Sequence, residues 1–457
     1  MSYCLAIDIG ASSGRHILGE YKDGTLSCTE VYRFENGFEN QDGTLCWNIE
    51  KLTESVIAGI KECKNIGKIP ETVAIDTWGV DYVLFDKDGK EILPAVAYRD
   101  PRTANVAKEI FEILPESELY SRTGIQKQDF NTIYQLWCDK KSGKMDKAER
   151  MLMIPEYLSY KLTGVMKNEY TNASTSNLVN AENKNWDSYI IEKLGYKKSL
   201  FGELNLPGTV IGDFSDEIKA VVGFNAKVIF CPSHDTASAV AACPVDDKSV
   251  FISSGTWSLV GTENLYPVTS PDAMEANLSN EGGINYRFRF LKNIMGMWLF
   301  QNIRKNLDKK YTYDEMMYMA MESSFTEKID PTADCFLAPD NMIEAIRTYL
   351  GKPDLPIGDV LSSVYHSLAN SYDITVKEIE RIANKTIDTI SIVGGGCKDK
   401  YLNKLTKEYT GKRVTAGPVE GTAAGNIISQ LIYLNPELDL LGAREIIKNT
   451  FNISEVE

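Results

Sequence analysis

The chain has 457 residues, of which 43% are hydrophobic and 25% charged, and its formal net charge is −15. This length exceeds what one hydrophobic core serves, so two or more domains are expected. The negative charge, with no compensating basic stripe, argues against nucleic acid and anionic membrane surfaces as partners and favours small-molecule ligands.

The cysteines and the N-terminal residues indicate the cellular compartment. Nine cysteines are scattered along the chain, and none forms a C-x-x-C pair. Reduced thiols are the natural interpretation of this pattern. The N-terminus passes directly into a predicted strand without the features of a signal peptide, and no apolar run is long enough for a membrane span. A cytoplasmic protein is therefore expected.

The first predicted feature is a strand, tight turn and strand over residues 4–20, with the turn GASSG at residues 10–14. Gly10 and Gly14 would permit positive φ, and the small residues between them leave backbone N–H groups free for a phosphate. Asp8, at the end of a buried strand, would then hold a hydrated Mg²⁺. An ordinary hairpin with a solvated Asp8 also fits these residues.

Further along, the pattern predicts a strand over 27–34, a helix over 49–64 and a strand over 72–76 that ends in Asp76. Thr77, Trp78 and Gly79 follow. Trp78 offers an apolar face to a sugar ring, Gly79 allows close approach, and carboxylates accept hydrogen bonds from hydroxyl groups. A core tryptophan beside a turn glycine is the alternative interpretation.

A strand over 226–231 leads into Ser233, His234, Asp235 and Thr236 and then a helix over 237–242. Asp235 fits a helix cap, because carboxylates are favoured at helix N-termini. The same carboxylate, placed beside a histidine, could instead accept a proton from a substrate hydroxyl group.

The segment 244–248 is the best candidate boundary, which gives domains over 1–244 and 245–457. Beyond it a strand, a Ser-Ser-Gly turn at 253–255 and a strand echo the opening hairpin. Two such hairpins suggest two related lobes that grip a nucleotide, although three residues can also recur by chance.

In the second half, residues 288–301 are strongly apolar, and a continuous helix there would place Asn293 and Gln301 near one face. These two residues also fit polar positions in a core helix. A helix over 359–385 precedes a strand over 389–393 that ends in three glycines, which would let a flat ligand such as adenosine lie on the backbone. Small residues at 421–425 permit close helix packing.

Taken together, these segments resemble the FGGY carbohydrate kinases over residue 4 to about residue 430. The segments that carry the resemblance are AIDIGASSGR, IDTWGVDYVLFD, YRDPRT, SHDTASAV, SSGTWSLVG, NEGG, LKNIMGMW, IVGGGC and AGPVEGTAAGNI. The resemblance implies an α/β, actin-like or ribonuclease-H-like two-lobe ATPase fold with a catalytic cleft between the lobes. Neither a G-x-x-x-x-G-K-[ST] loop nor the protein-kinase motifs are present.

The resemblance also implies roles for individual residues, with ATP and Mg²⁺ as the bound groups. ATP phosphates would contact Ala11, Ser12, Ser13, Gly14 and Arg15, and other parts of ATP would contact Thr256, Gln301 and Gly395. Asp8 would hold Mg²⁺, and Asp235 would accept the proton. The ketose would contact Gly79, His234, Asp235, Thr236 and Asn293, and residue chemistry adds Asp76 and Trp78.

The activity that the resemblance implies is ATP-dependent phosphorylation of L-rhamnulose at its 1-hydroxyl group in L-rhamnose degradation, by a monomer or small homo-oligomer. Another deoxy-ketose such as L-fuculose is an alternative substrate. A non-catalytic, actin-like nucleotide switch is the alternative from a different class. Asp8, Asp235 and the Trp78–Gly79 pair argue against the switch, because filament or chaperone interfaces do not need a sugar site.

Overall fold

The computed structural model describes residues 1–337 and 339–457. The chain forms two compact units. Unit 1 consists of Met1–Ala242, Asn264–Phe290 and Thr422–Thr450, and unit 2 of Cys243–Glu263, Leu291–Gly421 and Phe451–Glu457. The predicted α/β class with two lobes is confirmed. The domain boundary at residue 244 and the catalytic cleft stay predictions.

The main sheet of unit 1 has six strands, in the order Val210–Asp213, Lys227–Ile229, Thr72–Thr77, Ser2–Ile9, Ser13–Lys22 and Thr25–Glu35. Ser2–Ile9 pairs antiparallel with Ser13–Lys22 and parallel with Thr72–Thr77, as predicted for the opening hairpin. Lys227–Ile229 continues the parallel arrangement beyond Thr72–Thr77. The segment 4–9 is buried throughout, because parallel central strands are covered on both faces.

The helix Ile49–Asn65 packs on this sheet and matches its sequence pattern. Leu52, Val56 and Ile60 recur at helical spacing and are buried in one core with the apolar side chains of the sheet. Asn48 caps the helix by accepting a hydrogen bond from Lys51 N.

Smaller elements complete unit 1. The short strands are Phe38–Gln41, Thr44–Trp47, Tyr82–Phe85, Glu91–Ile92, Ala95–Val96, Arg150–Met153, Asn168–Glu169, Val179–Asn180, Asn185–Trp186, Leu204–Asn205 and Ser279–Gly282. The other helices are Val106–Ile113, Glu116–Thr123, Thr132–Lys141, Ile154–Thr163, Tyr170–Ala173, Ser188–Lys193, Asp216–Val222, Asp235–Ala242, Pro271–Glu275, Gly421–Leu434 and Leu440–Thr450. The 3₁₀ turns are Pro101–Thr103, Lys144–Asp146, Ser174–Ser176, Lys198–Leu200 and Ile284–Tyr286.

The helix Gly421–Leu434 packs closely against Asp235–Ala242, as the small residues predict. A Cβ atom at Gly425 would lie 1.7 Å from Ser238 O, so any side chain there would push the two helices apart. Gln430 in the same helix accepts a hydrogen bond from Thr72 Oγ1 (2.7 Å) and donates one to Leu5 O (3.0 Å). This helix is therefore fixed against two central strands of the sheet.

Unit 2 repeats the arrangement of strands. Its sheet runs Phe288–Met295, Trp257–Asn264, Ser249–Ser254, Thr389–Val393, Arg413–Ala416 and Ser454–Glu455, and Phe288–Met295 begins in unit 1. As in unit 1, an antiparallel hairpin is followed on one side by two parallel strands. The predicted second hairpin is thus confirmed as a repeat of topology.

The helices of unit 2 are Trp298–Asn306, Tyr313–Met321, Met342–Leu350, Ile357–Ile382 and Lys400–Thr410, with 3₁₀ turns at Asp334–Phe336 and Gly395–Lys398. The prediction of a continuous helix over 288–301 is wrong. Phe288–Met295 is a strand, and the helix begins at Trp298. A Cβ at Gly296 would lie 2.6 Å from Ser258 Oγ, so the chain changes direction where only glycine fits.

Two predictions about the whole chain can be compared with the structure. In the described part of the chain, every helix is too short or too polar to cross a bilayer. The structure describes all nine cysteines and joins none of them in a disulfide bond, in agreement with the odd, scattered pattern.

Candidate functional site

Three carboxylates lie near the carboxyl ends of neighbouring strands in unit 1. Asp8 is opposite Asp76 in the parallel register of Ser2–Ile9 with Thr72–Thr77. The next residue, Thr77, bridges to His234, which directly precedes Asp235. The carboxyl ends of parallel strands meet at one edge of a sheet, and this edge is where open α/β sheets bind ligands.

Asp8 is paired with a cation of the adjacent strand. Arg15 is its cross-strand partner, and Arg15 Nε and Nη2 donate to Asp8 Oδ2 at 3.0 and 2.8 Å. Asp8 is 7% exposed. The pair offsets part of the cost of a carboxylate at this largely buried position.

Asp76 is fully buried, and only one of its oxygens has a partner. Oδ2 accepts a hydrogen bond from Asn426 Nδ2 at 2.6 Å, and Oδ1 has none among the described residues. Burial first, and then the charge of Asp8, raises the pKa of Asp76 well above its ordinary value. A buried oxygen without a partner is costly, and a bound cation or a proton would satisfy it.

Asp235 begins the helix Asp235–Ala242, and its two oxygens differ. Oδ1 accepts from Thr236 N at 2.6 Å and from Thr236 Oγ1 at 3.2 Å. Within the described residues, every hydrogen bond to this carboxylate is accepted by Oδ1, which leaves Oδ2 open, and the side chain is 32% exposed. Burial, together with the charge of Asp8, raises the pKa of Asp235. The carboxylate is thus both accessible and a stronger base than a free aspartate.

His234 lies among charged side chains that sequence reasoning did not identify. Its Nε2 is 3.3 Å from Asp235 Oδ1, and its Nδ1 is 3.1 Å from Arg289 Nη2. Glu281 Oε2 lies 3.4 Å from Nδ1 and 3.0 Å from Arg289 Nη1. The NEGG segment that contains Glu281 was visible in the sequence, but nothing local connects it to residues about fifty positions earlier.

Another buried carboxylate, Glu169, supports the loop before Asp235. Glu169 Oε2 accepts hydrogen bonds from Ser233 Oγ at 2.5 Å and Thr171 Oγ1 at 2.7 Å. Thr171 and Asn172 also donate backbone N–H groups to this side chain, which caps the helix Tyr170–Ala173. The Ser/Thr/Asn-rich stretch after Glu169 therefore fixes the loop before Asp235 rather than lying free on the surface.

The structure places Trp78 in the core. Its ring lies 4.1 Å from that of Trp47, and both indole N–H groups donate to Asp81 Oδ2, at 3.0 and 2.6 Å. Trp78 is 7% exposed. Burial raises the pKa of Asp81 to about 6 against the opposing effect of its donors. A role for Trp78 against a sugar stays a prediction.

The segment after Trp78 makes a strained turn. Asp81 N donates to Gly79 O at 3.0 Å across Val80, whose φ is 70°. A β-branched residue rarely adopts this conformation, and such strain clusters at ligand sites. A Cβ at Gly79 would lie 2.9 Å from Thr175 Oγ1, so glycine is required there for packing.

The turn at residues 10–15 differs from the prediction in one respect. Gly10 and Gly14 do not have positive φ. Gly14 is required because a Cβ there would lie 2.1 Å from the Phe34 ring on the neighbouring strand. The backbone N–H groups of Ala11 and Ser12 donate no hydrogen bond within the described residues, which leaves two adjacent donors available to an anion.

In unit 2, the turn of the hairpin is held by backbone contacts. Thr256 O accepts hydrogen bonds from Gly296 N at 3.2 Å and Trp298 N at 3.1 Å, and Gly255 O accepts one from Met297 N at 3.0 Å. These contacts join Thr256 to the start of the helix that carries Gln301. Asn293 lies on the preceding strand, separated from Gln301 by the break at Gly296.

The three consecutive glycines of unit 2 have different environments. A Cβ at Gly394 would lie 2.8 Å from Ser254 O, and one at Gly396 would lie 2.0 Å from Ser254 Oγ. A Cβ at Gly395 would meet nothing within 4 Å. The outer glycines are required for packing, and Gly395 is the open position, where a flat ligand could lie.

The residues of unit 1 fit a hydrated Mg²⁺. Among the described residues, no group of three His, Cys, Asp or Glu side chains is arranged to enclose a metal. Mg²⁺ does not require such a cage, because it is commonly bound by one or two carboxylates together with water and substrate phosphates. The unpartnered Asp76 Oδ1 next to Asp8 provides this kind of donor set.

Two family models match the chain. The N-terminal domain of the FGGY family of carbohydrate kinases matches residues 3–242, and the C-terminal domain matches residues 250–434. A rhamnulokinase from Halalkalibacterium halodurans is 44% identical over 460 residues, which cover 99% of this chain and 98% of the relative. The chain therefore belongs to the FGGY family of carbohydrate kinases, and it is a sugar kinase.

Further relatives agree in sequence and in fold. A rhamnulokinase from Oceanobacillus iheyensis is 43% identical, over 99% of this chain and 98% of the relative. The crystal structure of ligand-bound xylulose kinase from Lactobacillus acidophilus has a TM-score of 0.82 and 16% sequence identity, and the match covers 99% of this chain and 93% of that one. At this low identity the structural likeness shows the fold alone.

Proposed function

We propose that the protein transfers the γ-phosphoryl group of ATP to the 1-hydroxyl group of L-rhamnulose, in the cytoplasm. The proposal is supported by the rhamnulokinases that resemble this chain over nearly its full length. It also agrees with the chemistry of the strand ends in unit 1. The single observation that carries it is the accessible Oδ2 of Asp235 beside the carboxylates of Asp8 and Asp76.

Asp235 accepts the proton of the substrate hydroxyl group. The hydroxyl oxygen attacks the γ-phosphorus, its proton passes to Asp235 Oδ2, and the bond to the leaving ADP oxygen breaks. Thr236 holds Oδ1, so the carboxylate keeps one orientation while Oδ2 faces the substrate. The raised pKa of Asp235 makes the proton transfer more favourable.

The turn of residues 11–15 binds the phosphates. The free N–H groups of Ala11 and Ser12 donate to phosphate oxygens, with Ser13, Gly14 and Arg15 beside them. Mg²⁺, when bound, offsets the negative charge of the phosphates, and Asp8 and Asp76 would hold it with its water.

The residues of unit 2 bind the rest of ATP. Thr256 lies on the fixed hairpin turn, Gln301 is on the helix attached to that turn, and Gly395 offers open backbone. Contacts to the ketose come from Gly79, His234, Thr236 and Asn293. Trp78 acts on the sugar through the packing of the turn that follows it, since its ring lies in the core.

A ketose panel with coupled detection of ADP tests the proposal. L-rhamnulose should give the highest kcat/KM among L-rhamnulose, L-fuculose, D-xylulose and glycerol, and the phosphorylated product should carry the group at O1. A preference for L-fuculose would contradict the sugar assignment. ATP binding without turnover of any sugar would favour a nucleotide switch instead.

A further inference from the structure

Charged side chains of unit 1 lie close to both ring nitrogens of His234. Arg289 Nη2 and Glu281 Oε2 lie 3.1 and 3.4 Å from Nδ1, and Asp235 Oδ1 lies 3.3 Å from Nε2. Asp235, Glu169 and Tyr170 also interact electrostatically with Arg289. The position of the imidazole proton therefore decides how these groups act on Asp235.

Arg289 determines where that proton lies. A guanidinium group has only donors, so the nitrogen atom 3.1 Å from it must accept. Nδ1 consequently has no proton, and the neutral ring carries its proton on Nε2, facing Asp235. An imidazolium would direct an N–H group at a guanidinium N–H group in a buried site, where this repulsion is least screened.

The guanidinium group is itself held in place. Arg289 is fully buried, its Nε donates to Gly282 O at 2.9 Å, and its Nη1 lies 3.0 Å from Glu281 Oε2. Burial alone would raise the pKa of Glu281, but the charge of Arg289 and, after it, the neighbouring His234 lower this pKa below its ordinary value. Glu281 therefore balances the arginine charge. Its Oε2 accepts no hydrogen bond from the described residues, which leaves Nδ1 of the histidine to the arginine.

We propose that Arg289, held by Glu281, is a positioning residue that keeps His234 in its neutral Nε2–H form. In that form the ring faces Asp235 Oδ1 with a donor, which leaves Asp235 Oδ2 as the oxygen that receives the substrate proton. The catalytic part of this inference depends on the proposed function, whereas the protonation state of His234 does not.

Nitrogen NMR measures the protonation state directly. The chain has only three histidines, so selective ¹⁵N-histidine labelling gives few signals, and the signals of His16 and His366 can be assigned with His16→Gln and His366→Gln. The His234 signals should show a protonated Nε2 and an unprotonated Nδ1 at pH 7. A protonated Nδ1, as a neutral Nδ1–H ring or an imidazolium, would overturn the proposal.

Kinetics of three variants test the effect on catalysis. In Arg289→Met only Glu281 faces Nδ1, so the ring becomes an imidazolium, Asp235 becomes a weaker base, and kcat falls about 10- to 100-fold. KM for ATP should stay within about twofold. Glu281→Gln should keep the Nε2–H form and lose much less kcat, and the double variant should recover part of the loss because Glu281 then no longer stabilises the imidazolium from the Nδ1 side.

The outcomes separate the positioning role of Arg289 from the proposed function of the protein. A larger loss in Glu281→Gln than in Arg289→Met, or an unchanged kcat in Arg289→Met, would overturn the positioning role. Arg289→Lys keeps one donor and should retain more activity than Arg289→Met. If a variant does not fold, the NMR result on the unaltered protein still decides the protonation state. An inactive protein with the Nε2–H form would contradict the proposed function alone.

Discussion

The two units build the same order of strands and end them with different chemistry. In unit 1, the strand ends and the helix that follows carry Asp8, Asp76 and Asp235. In unit 2, the corresponding hairpin and parallel strand end in Ser254 and in three glycines. One arrangement of backbone thus supports either a cluster of charges or a surface without side chains.

This difference matches two kinds of ligand chemistry. Carboxylates with raised pKa suit proton transfer and metal binding, and they are costly to keep in a fold. Open backbone suits a flat, largely uncharged group. Under the proposed function, unit 1 therefore provides the reacting groups, and unit 2 provides the contacts to the neutral part of the nucleotide.

The largest expected effect comes from removing the base of unit 1. Asp235→Asn keeps the shape and the bonds to Thr236 but cannot accept a proton, so kcat should fall about 100-fold or more. The dissociation constant for ATP, measured by calorimetry, should stay the same. Near-normal turnover in this variant would remove Asp235 from the mechanism.

The sequence predicted the parts of the fold that local patterns control. The opening hairpin, the helix Ile49–Asn65 and the strand Thr389–Val393 were correctly predicted, because apolar periodicity and turn residues lie within each segment. The structure also brings Asp8, Asp76 and Asp235 to one edge of the sheet. Their functional roles stay predictions.

Features that depend on long-range contacts could not be predicted. Glu281, Arg289 and Glu169 act on the loop of His234 from segments far along the chain. The prediction of a helix over 288–301 is wrong, because the apolar run does not show that Gly296 must fit against Ser258. Gly14 was predicted as a turn residue, but glycine is required there because a side chain would collide with Phe34 on the neighbouring strand.

The close approach of Gly14 to Phe34 gives the second prediction, which concerns stability. Gly14→Val would drive the side chain into the Phe34 ring, so the free energy of unfolding should fall by about 2.5 kcal/mol. In unit 2 the corresponding cross-strand position is Ser258, which already accommodates a side chain beside Tyr372. Urea unfolding should show that Phe34→Leu restores part of the loss. A stable Gly14→Val with weakened ATP binding would instead support the phosphate role predicted from sequence.

The third prediction concerns acid stability, because unit 1 buries a histidine where unit 2 has Val260 on the equivalent strand. Burial lowers the pKa of His16 from 6.5 to about 4, so the ring is neutral when folded. The unfolded chain takes up this proton first, and stability is lost as pH falls from about 6.5 towards 4. Relative to its value well above pH 6.5, stability at pH 5 should be lower by about 2 kcal/mol.

Hydrogen exchange can resolve this effect by unit. After correction for the pH dependence of chemical exchange, amides of Ser13–Lys22 should lose protection at pH 5, and those of Trp257–Asn264 should lose much less. His16→Gln keeps a donor for Val56 O and should remove most of the difference. Equal losses in both strands, or no change in the variant, would show that other groups control acid stability.

The smallest expected effect tests the open backbone of unit 2. Gly395→Val introduces a side chain where a Cβ meets no atom within 4 Å, and Gly395 does not have positive φ, so the fold should be unaffected. If adenosine lies against this position, KM for ATP should rise about tenfold, which is ~1.4 kcal/mol, with kcat nearly unchanged at saturating ATP. Gly37→Val is the matched control, because a Cβ at Gly37 likewise meets no atom within 4 Å and Gly37 is not among the residues proposed to bind ATP. A normal KM in Gly395→Val, with both variants folded, would mean that the three glycines serve only to pack against Ser254. The contrast between a charged edge in unit 1 and a ligand-binding backbone in unit 2 would then hold for structure but not for function.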